Sequence, residues 1–322
     1  MILVMKVMMK KSRNQINGLL LLDKPLGLSS NRAIQRVKWI LSAEKVGHTG
    51  TLDPLATGLL PVCLGEATKF ANYLLDGDKE YLATAQLGIV TDSGDSEGKL
   101  VASNPVDTDL TKIQAALQHF TGAISQIPPM YSALKHNGRP LYEYAREGIE
   151  IERKVRQVVI HQLELISYNA ELQQITFRAK VSKGTYIRTL AEDIGNLLGC
   201  GASLIALRRT QTNQFLLADA CSLEDLEQIT DLSELQLLSP AILCEQLVDY
   251  TVSPEQYLSI KFGNPVHLNE LPDGLLLEQE VKIYANQHFL GVATITERYE
   301  RLWLAPKRIV SGLATYDPWL CL

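Results

Sequence analysis

Apolar residues along the chain recur at two spacings, every second position and every three to four, and the switches between them mark the elements. Leu19 to Leu22 form a continuous apolar run that ends in Asp23-Lys24-Pro25-Leu26-Gly27, which predicts a buried strand running into a turn. Ser29 and Ser30 then offer a helix N-cap, and Ala33, Ile34, Val37, Ile40 and Leu41 follow at helical spacing. Glu80 to Val90 reads as a strand with Tyr81, Ala83, Ala85 and Leu87 on one face, and Thr91 to Gly98 as a polar loop. Leu110, Ile113, Leu117 and Phe120 make one face of a short helix. Val158–Ser167 and Gln174–Ser182 are two further strands. In the second, Ile175, Phe177, Ala179 and Val181 alternate with Thr176, Arg178, Lys180 and Ser182, so one face is apolar and the other basic or polar. Ile187, Leu190, Ala191, Ile194, Leu197 and Leu198 mark a helix that Gly199 stops.

Two stretches break this order. Gln126 to Arg156 mixes Pro128-Pro129 with aromatic and basic residues and predicts an excursion from the core. Glu224 to about Val248 is acidic and loop-rich after a capping-box-like start at Ser222 and Asp225, and a domain boundary is expected there. Beyond it Ser253-Pro254 opens a short helix closed by Gly263. Val281–Ala285, Gly291–Thr296 and Leu302–Leu304 then predict a compact, mostly β unit. With 322 residues, 46% of them hydrophobic, the chain can bury one large core and one small one.

Net charge is −5, which by itself argues mildly against a nucleic-acid binder but says nothing of where the charges lie. Cys63, Cys200, Cys221, Cys244 and Cys321 form no Cys-x-x-Cys pair, so reduced thiols in a cytoplasmic protein are expected, with no zinc pattern beside them. Residues 1–16 begin apolar and then turn basic. That order does not suit a signal peptide, and the apolar run is far short of the about 20 residues of a membrane span. A disordered tail, or a start codon placed too early, is the expectation.

Gly47-His48-Thr49-Gly50-Thr51-Leu52-Asp53-Pro54-Leu55-Ala56-Thr57-Gly58 is too rich in glycine for regular structure and predicts a rigid loop ahead of the apolar run Leu59 to Leu64. Asp53 is thus a carboxylate beside a buried strand. On spacing alone a plain Asp-Pro turn is the stronger reading, and His48 reads as structural. Arg188, in the first turn of its helix, is unfavourable for the helix dipole. It is either a solvated surface residue or the partner of an anion, such as a carboxylate in an apolar cleft. No phosphate-binding glycine loop, nucleophile elbow or metal-ligand spacing occurs, which leaves cofactor-free chemistry built on one carboxylate.

From Gly18 to about Val310 the sequence resembles the bacterial TruB family of pseudouridine synthases. The resemblance runs through Gly18–Pro25, Gly47–Gly58, Leu64–Lys69, Asp78–Tyr81, Gln126–Lys135, Ser182–Arg188 and Leu207-Arg208-Arg209, in that order. In the C-terminal unit it is carried by Gly263-Asn264-Pro265 and Ala305–Arg308. It implies an α+β pseudouridine synthase fold over residues 17–247, a mixed, mainly antiparallel sheet with flanking helices. It also implies a mobile RNA-gripping insertion at about 126–156 and a small PUA-like β-barrel that binds RNA over 248–322. The implied reaction converts uridine-55 in the T-loop of tRNA to pseudouridine; no cofactor, metal, membrane or protein partner is expected, and one substrate per chain makes a monomer the simplest expectation.

The implied roles are Asp53 as catalytic residue, Arg188 as the partner that keeps it ionised, and Tyr81 as the ring stacked on the flipped uracil and the handler of its C5 proton. Tyr186 and Leu207 wall the base pocket and His48 contacts RNA at the vacated position. Between Arg178 and Arg209 there are six basic residues against two acidic ones, expected to face the RNA. The acidic excess is expected elsewhere, notably at Asp92 to Glu97, so RNA binding should depend steeply on salt. The rival readings are an RNA-binding relative that has lost catalysis, a guide-RNA-dependent relative, and a glycoside hydrolase with an Asp nucleophile. The last would want a second catalytic carboxylate at a set distance.

Overall fold

The computed structural model describes residues 13–311. Its larger sheet has nine strands. The main path runs Gly18–Lys24, Ala56–Leu64, Ala202–Thr212, Lys79–Leu87, Gln174–Val181, Arg156–Asn169 and Gly122–Gln126. Val46–His48 adds to the second strand of that path and Phe215–Leu216 to the third. Every pairing is antiparallel except Ala202–Thr212 on Ala56–Leu64. The mixed, mainly antiparallel α+β architecture implied by the sequence is therefore present. The parallel contact depends on Gly58, whose φ is +98° and whose absent Cβ would stand 2.3 Å from the carbonyl oxygen of Arg209. Any side chain there would push the two strands apart.

The helices Ser30–Ile40, Leu110–His119 and Ile187–Leu197 cover one face of this sheet. They set Ala33, Ile34, Val37, Ile113, Leu117, Leu190 and Ile194 against Leu20, Leu60, Val62, Ala83 and Phe177 in one core. Ser29 caps the first helix, accepting a hydrogen bond from Arg32 N at 3.3 Å, and Gly199 ends the third at φ +81°. The Gln174–Val181 strand buries Ile175, Phe177, Ala179 and Val181, as its alternation predicts. Ala202–Thr212 is a strand that the apolar pattern does not announce, because its buried residues include Ser203 and Arg209.

The other face of the edge strands packs on the 3₁₀ helix Gly65–Leu74. There Leu19, Leu21, Leu59, Cys63 and Phe70 share a cluster with Val292 from the C-terminal unit. Phe70 and Phe289 meet edge to face at 5.2 Å between centroids. The C-terminal unit is a five-stranded sheet in the order Val248–Thr251, Glu280–Ala285, His288–Arg298, Arg301–Ile309, Val266–Leu268. Here the expected barrel needs correction, because among the described residues the two end strands do not pair and the sheet stays open. Both end strands are short, and the helix Pro254–Ile260 between them contributes Tyr257 and Ile260 to the core instead.

Two other expectations shift. Within the expected disordered tail 1–16, residues 1–12 lie outside the described residues. Asn14 is paired, its N donating to Ser42 O at 2.8 Å, and Ile16 packs on the core. The 126–156 excursion is locally folded, with a tight hairpin of Lys135–His136 and Arg139–Pro140 followed by the helix Leu141–Arg146.

Candidate active site

The loop from Thr49 to Leu55 lies between the N-termini of the Ser30–Ile40 and Ile187–Leu197 helices and is fastened along its length. Gly27 N donates to Pro54 O at 2.9 Å and Ala56 N to Asp53 O at 3.1 Å. Arg209, 1% exposed, reaches from the central strand to Leu59 O at 2.7 Å and Gly50 O at 3.4 Å. Ser30 Oγ bonds both polar backbone groups of Leu52. These contacts carry the glycine-rich backbone through its bend without regular structure and leave Asp53 facing outward.

Asp53 meets Arg188, whose Nη2 stands 3.0 Å from Asp53 Oδ2 and whose Nη1 stands 3.3 Å from Asp95 Oδ2. Arg188 also donates to the carbonyls of Ser93 and Tyr131. The guanidinium is thus buried and held on four sides, which offsets the cost of placing a cation near a helix N-terminus. Asp53 is 42% exposed by side chain, against 6% for Arg188 and 4% for Asp95. Burial pushes the Asp53 carboxyl above the ordinary carboxylate range. Arg188 pulls it back, Asp95 pushes it further up, and Lys24 pulls it down. Arg188 therefore favours the ionised carboxylate, while burial sets the net shift.

A cleft of about 820 Å³ opens over this pair. Its lining includes His48, Thr51, Pro54, Asp95 and Arg188, together with Tyr131, Ser132, Ala133, Tyr142 and Arg146 from the 126–156 segment. Arg32, Lys99 and Arg146 add cationic groups to the lining. His48 Nδ1 accepts from Gly50 N at 3.3 Å, and burial together with Arg209 lowers its pKa. The lowered pKa favours the neutral ring, and with Nδ1 accepting, that form carries its proton on Nε2. Among the described residues no group of His, Cys, Asp and Glu has the arrangement to hold a metal ion.

Tyr81, Tyr186 and Leu207 are not among the groups lining this cleft. Tyr81 is buried in the Lys79–Leu87 strand, paired across to Arg209, and Leu207 is paired to Ala83. Cross-strand partners point to the same face, so Tyr81 and Leu207 lie on the face from which Arg209 reaches Leu59 and Gly50. Tyr186 caps the Ile187–Leu197 helix, and its backbone is held by Gln126 through bonds of 2.8 and 3.1 Å.

Residues 38–187 match the family model described as TruB family pseudouridylate synthase (N terminal domain). Residues 188–248 match the tRNA pseudouridylate synthase B C-terminal domain, and 250–310 match Pseudouridine synthase II TruB, C-terminal. A protein of Chromobacterium violaceum named tRNA pseudouridine synthase B is 49% identical over 286 residues, 88% of this chain and 92% of its own. Its namesake in Cupriavidus metallidurans is 47% identical over 306 residues, 92% of this chain and 95% of its own. The chain belongs to the TruB family. More distant solved structures share the fold. A chain of a Cbf5-Nop10-Gar1 complex superposes with a TM-score of 0.69 at 24% identity, covering 92% of this chain and 86% of its own. A chain of an H/ACA RNP bound to a substrate RNA containing 2'-deoxyuridine does so at 0.69 and 22%, covering 93% and 87%.

Within this TruB-family site several residues have no signal in the sequence pattern. Asp95 comes from the Thr91–Gly98 loop, whose acidic groups were expected to lie away from the RNA. Instead Asp92, Asp95 and Glu97 line the cleft. Lys24 is fully buried, its Nζ bonded to Pro25 O and Leu28 O at 2.8 and 2.6 Å, and burial lowers its pKa to about 8. The expected basic face also shrinks. Arg188 and Arg209 are buried, Arg208 pairs with Asp23 at 2.6 Å, and Lys183 pairs with Asp76 at 3.0 Å. The positive groups that reach the cleft come largely from other segments, at Arg32, Lys99 and Arg146.

Proposed function

We propose that this protein is a tRNA pseudouridine synthase that converts uridine-55 of the T-loop to pseudouridine, with Asp53 as its catalytic residue. The observation that carries the reading is an accessible carboxylate in the lining of a cleft, ion-paired to a buried arginine, which the other carboxylates exposed there are not. The names of the relatives supply the substrate and reaction class. Residues 17–247 form the catalytic unit, 126–156 grip RNA, and 248–322 make a further RNA-binding unit. No protein partner is required and the enzyme acts as a monomer in the cytoplasm. Among the described residues no helix is long and apolar enough to cross a membrane.

The reaction breaks the bond from uracil N1 to ribose C1′, turns the base and joins C5 to C1′. Substrate and product are isomers, so no net oxidation occurs. The stacked base must first leave the RNA helix. Asp53 starts cleavage either by attacking C1′ or by taking a sugar proton, and both routes need its ionised form. Arg188 favours that form. Tyr81 stacks on the flipped uracil, with Leu207 and Tyr186 as neighbouring walls, and takes part in transfer of the C5 proton. Base–aromatic stacking contributes roughly 1–3 kcal/mol, comparable to the unstacking cost. Because Tyr81 lies deeper than the open cleft, this step requires the base to enter the floor. Neutral His48 offers its Nε2 proton to the RNA beside the vacated position.

The test is release of the C5 proton from labelled uridine in a T-arm stem-loop, comparing wild type with Asp53→Asn. Turnover is expected in the wild type and none in the variant, with RNA binding retained. Turnover by Asp53→Asn would remove Asp53 from the reaction. Binding without turnover by the wild type would favour the inactive RNA-binding reading, which the family names and the intact Asp53–Arg188 pair oppose.

A further inference from the structure

The structure assigns a positioning role to Ser30: its hydroxyl holds the peptide before Asp53 and so sets where the carboxylate stands. This inference rests on the catalytic role proposed for Asp53.

Ser30 opens the Ser30–Ile40 helix and is 2% exposed. Leu52 N donates to its Oγ at 2.7 Å, and the Oγ donates to Leu52 O at 2.9 Å. A hydroxyl has one hydrogen to give and two lone pairs to receive with, so one side chain satisfies both backbone groups of a buried residue. Leu52 lines the cleft but is only 3% exposed, with its side chain in the main core, so its backbone groups meet little water. The next turn of chain is held from the same segment, since Gly27 N donates to Pro54 O at 2.9 Å. Asp53 is therefore flanked by two residues bonded to the short stretch 27–30. Lys24 braces that stretch through Pro25 O and Leu28 O.

Without the Ser30 hydroxyl, the Leu52 N–H and C=O lose the partner that buries them. Buried polar groups left without partners are costly. The loop relieves this by turning the 52–53 peptide toward the cleft, and Asp53 moves with it. A displacement of one ångström at a reacting group is enough to slow chemistry by about a hundredfold. Substrate binding, which spreads over the cleft lining and its cations, changes little.

The experiment compares full-length wild type, Ser30→Ala and Ser30→Thr on a T-arm stem-loop, measuring kcat and KM across pH, with thermal melting of each. For Ser30→Ala, kcat should fall by about ten- to a hundredfold while KM stays within about twofold. The acid limb of its kcat profile should move to lower pH, because a carboxyl released toward water loses the burial that raises it. Ser30→Thr, which keeps a hydroxyl, should recover part of the rate. A Ser30→Ala enzyme with wild-type kcat would overturn the role. So would equal slowing in both variants with an unmoved pH limb and matched loss of melting temperature, the mark of packing alone. An inactive wild type would overturn the function instead. An active wild type beside an inactive Asp53→Asn and an unaffected Ser30→Ala would overturn only the positioning.

Discussion

Arg188 holds Asp53 from the buried side: Nη2 lies 3.0 Å from Oδ2, and of the two side chains Asp53 is the one that reaches solvent. The arginine therefore acts on the carboxylate without standing between it and a substrate. In Arg188→Met the attraction is gone while burial and the Asp95 charge remain, and both raise the Asp53 pKa. The reaction needs the ionised form, so rate is lost as pH falls through that pKa. The acid limb of the pH–rate profile should move to higher pH, and activity at neutral pH should fall by about a hundredfold or more. An unmoved limb in single-turnover measurements would break the link between the two residues.

Asp95 should give the opposite pH response. It raises the Asp53 pKa while anchoring the far side of Arg188. Asp95→Asn removes the like charge, so the acid limb should move to lower pH. The loosened guanidinium should still cost about tenfold or more in kcat. Measuring both separates charge from position. A kcat at the wild-type value would show that Arg188 needs no second anchor.

RNA binding should depend on salt less steeply than the six basic residues between Arg178 and Arg209 suggest. Counterion release follows the phosphates actually neutralised, and two of those arginines are buried while Arg208 and Lys183 are paired. With Arg32, Lys99 and Arg146 as the cleft cations, a slope of log K against log salt of about −2 to −3 is expected. Arg146→Gln should make it shallower by about one. Filter-binding titrations across salt would check this, and a slope unchanged by the substitution would exclude Arg146 from the phosphate contacts.

Glu192 carries a pH dependence of stability. Burial, with help from Asp193, raises its pKa from 4.5 to about 7. Between those values the native state keeps a proton that the unfolded chain has released, so stability falls as pH rises through that window. Glu192→Gln should melt close to wild type at pH 5 and about 2 °C higher at pH 8. Equal melting temperatures at both pH values would show that the ionised group is solvated where it stands.

Much of this was legible in the sequence where periodicity and burial agree. The Gln174–Val181 strand and the Ile187–Leu197 helix follow their apolar spacing because each presents one face to a single core. Ala202–Thr212 escapes that logic. It lies in the middle of the sheet and buries Arg209, so its polar residues mask it. Asp95 escapes for another reason: spacing can mark Thr91–Gly98 as a turn but not say which way the turn folds. Tyr81 was legible as a buried strand residue. Alternation places it on an apolar face, and that same burial keeps it beneath the open cleft. The barrel expected at the C-terminus stays open among the described residues, where the two end strands do not pair, and a strand pattern marks strands without saying whether the first and last of them meet.

The shared cluster of Phe70, Leu19, Leu59 and Val292 makes the boundary near Val248 a matter of chain order more than of energy. A protease or a cloning primer that separated the two units there would strip Phe289 from Phe70 and leave the back of the edge strands wet. The larger half, cut away by itself, would lack part of the apolar wall it has in the whole chain. Heated, the two halves should come apart in one endotherm, as a single cooperative body whose rear wall is borrowed from its tail.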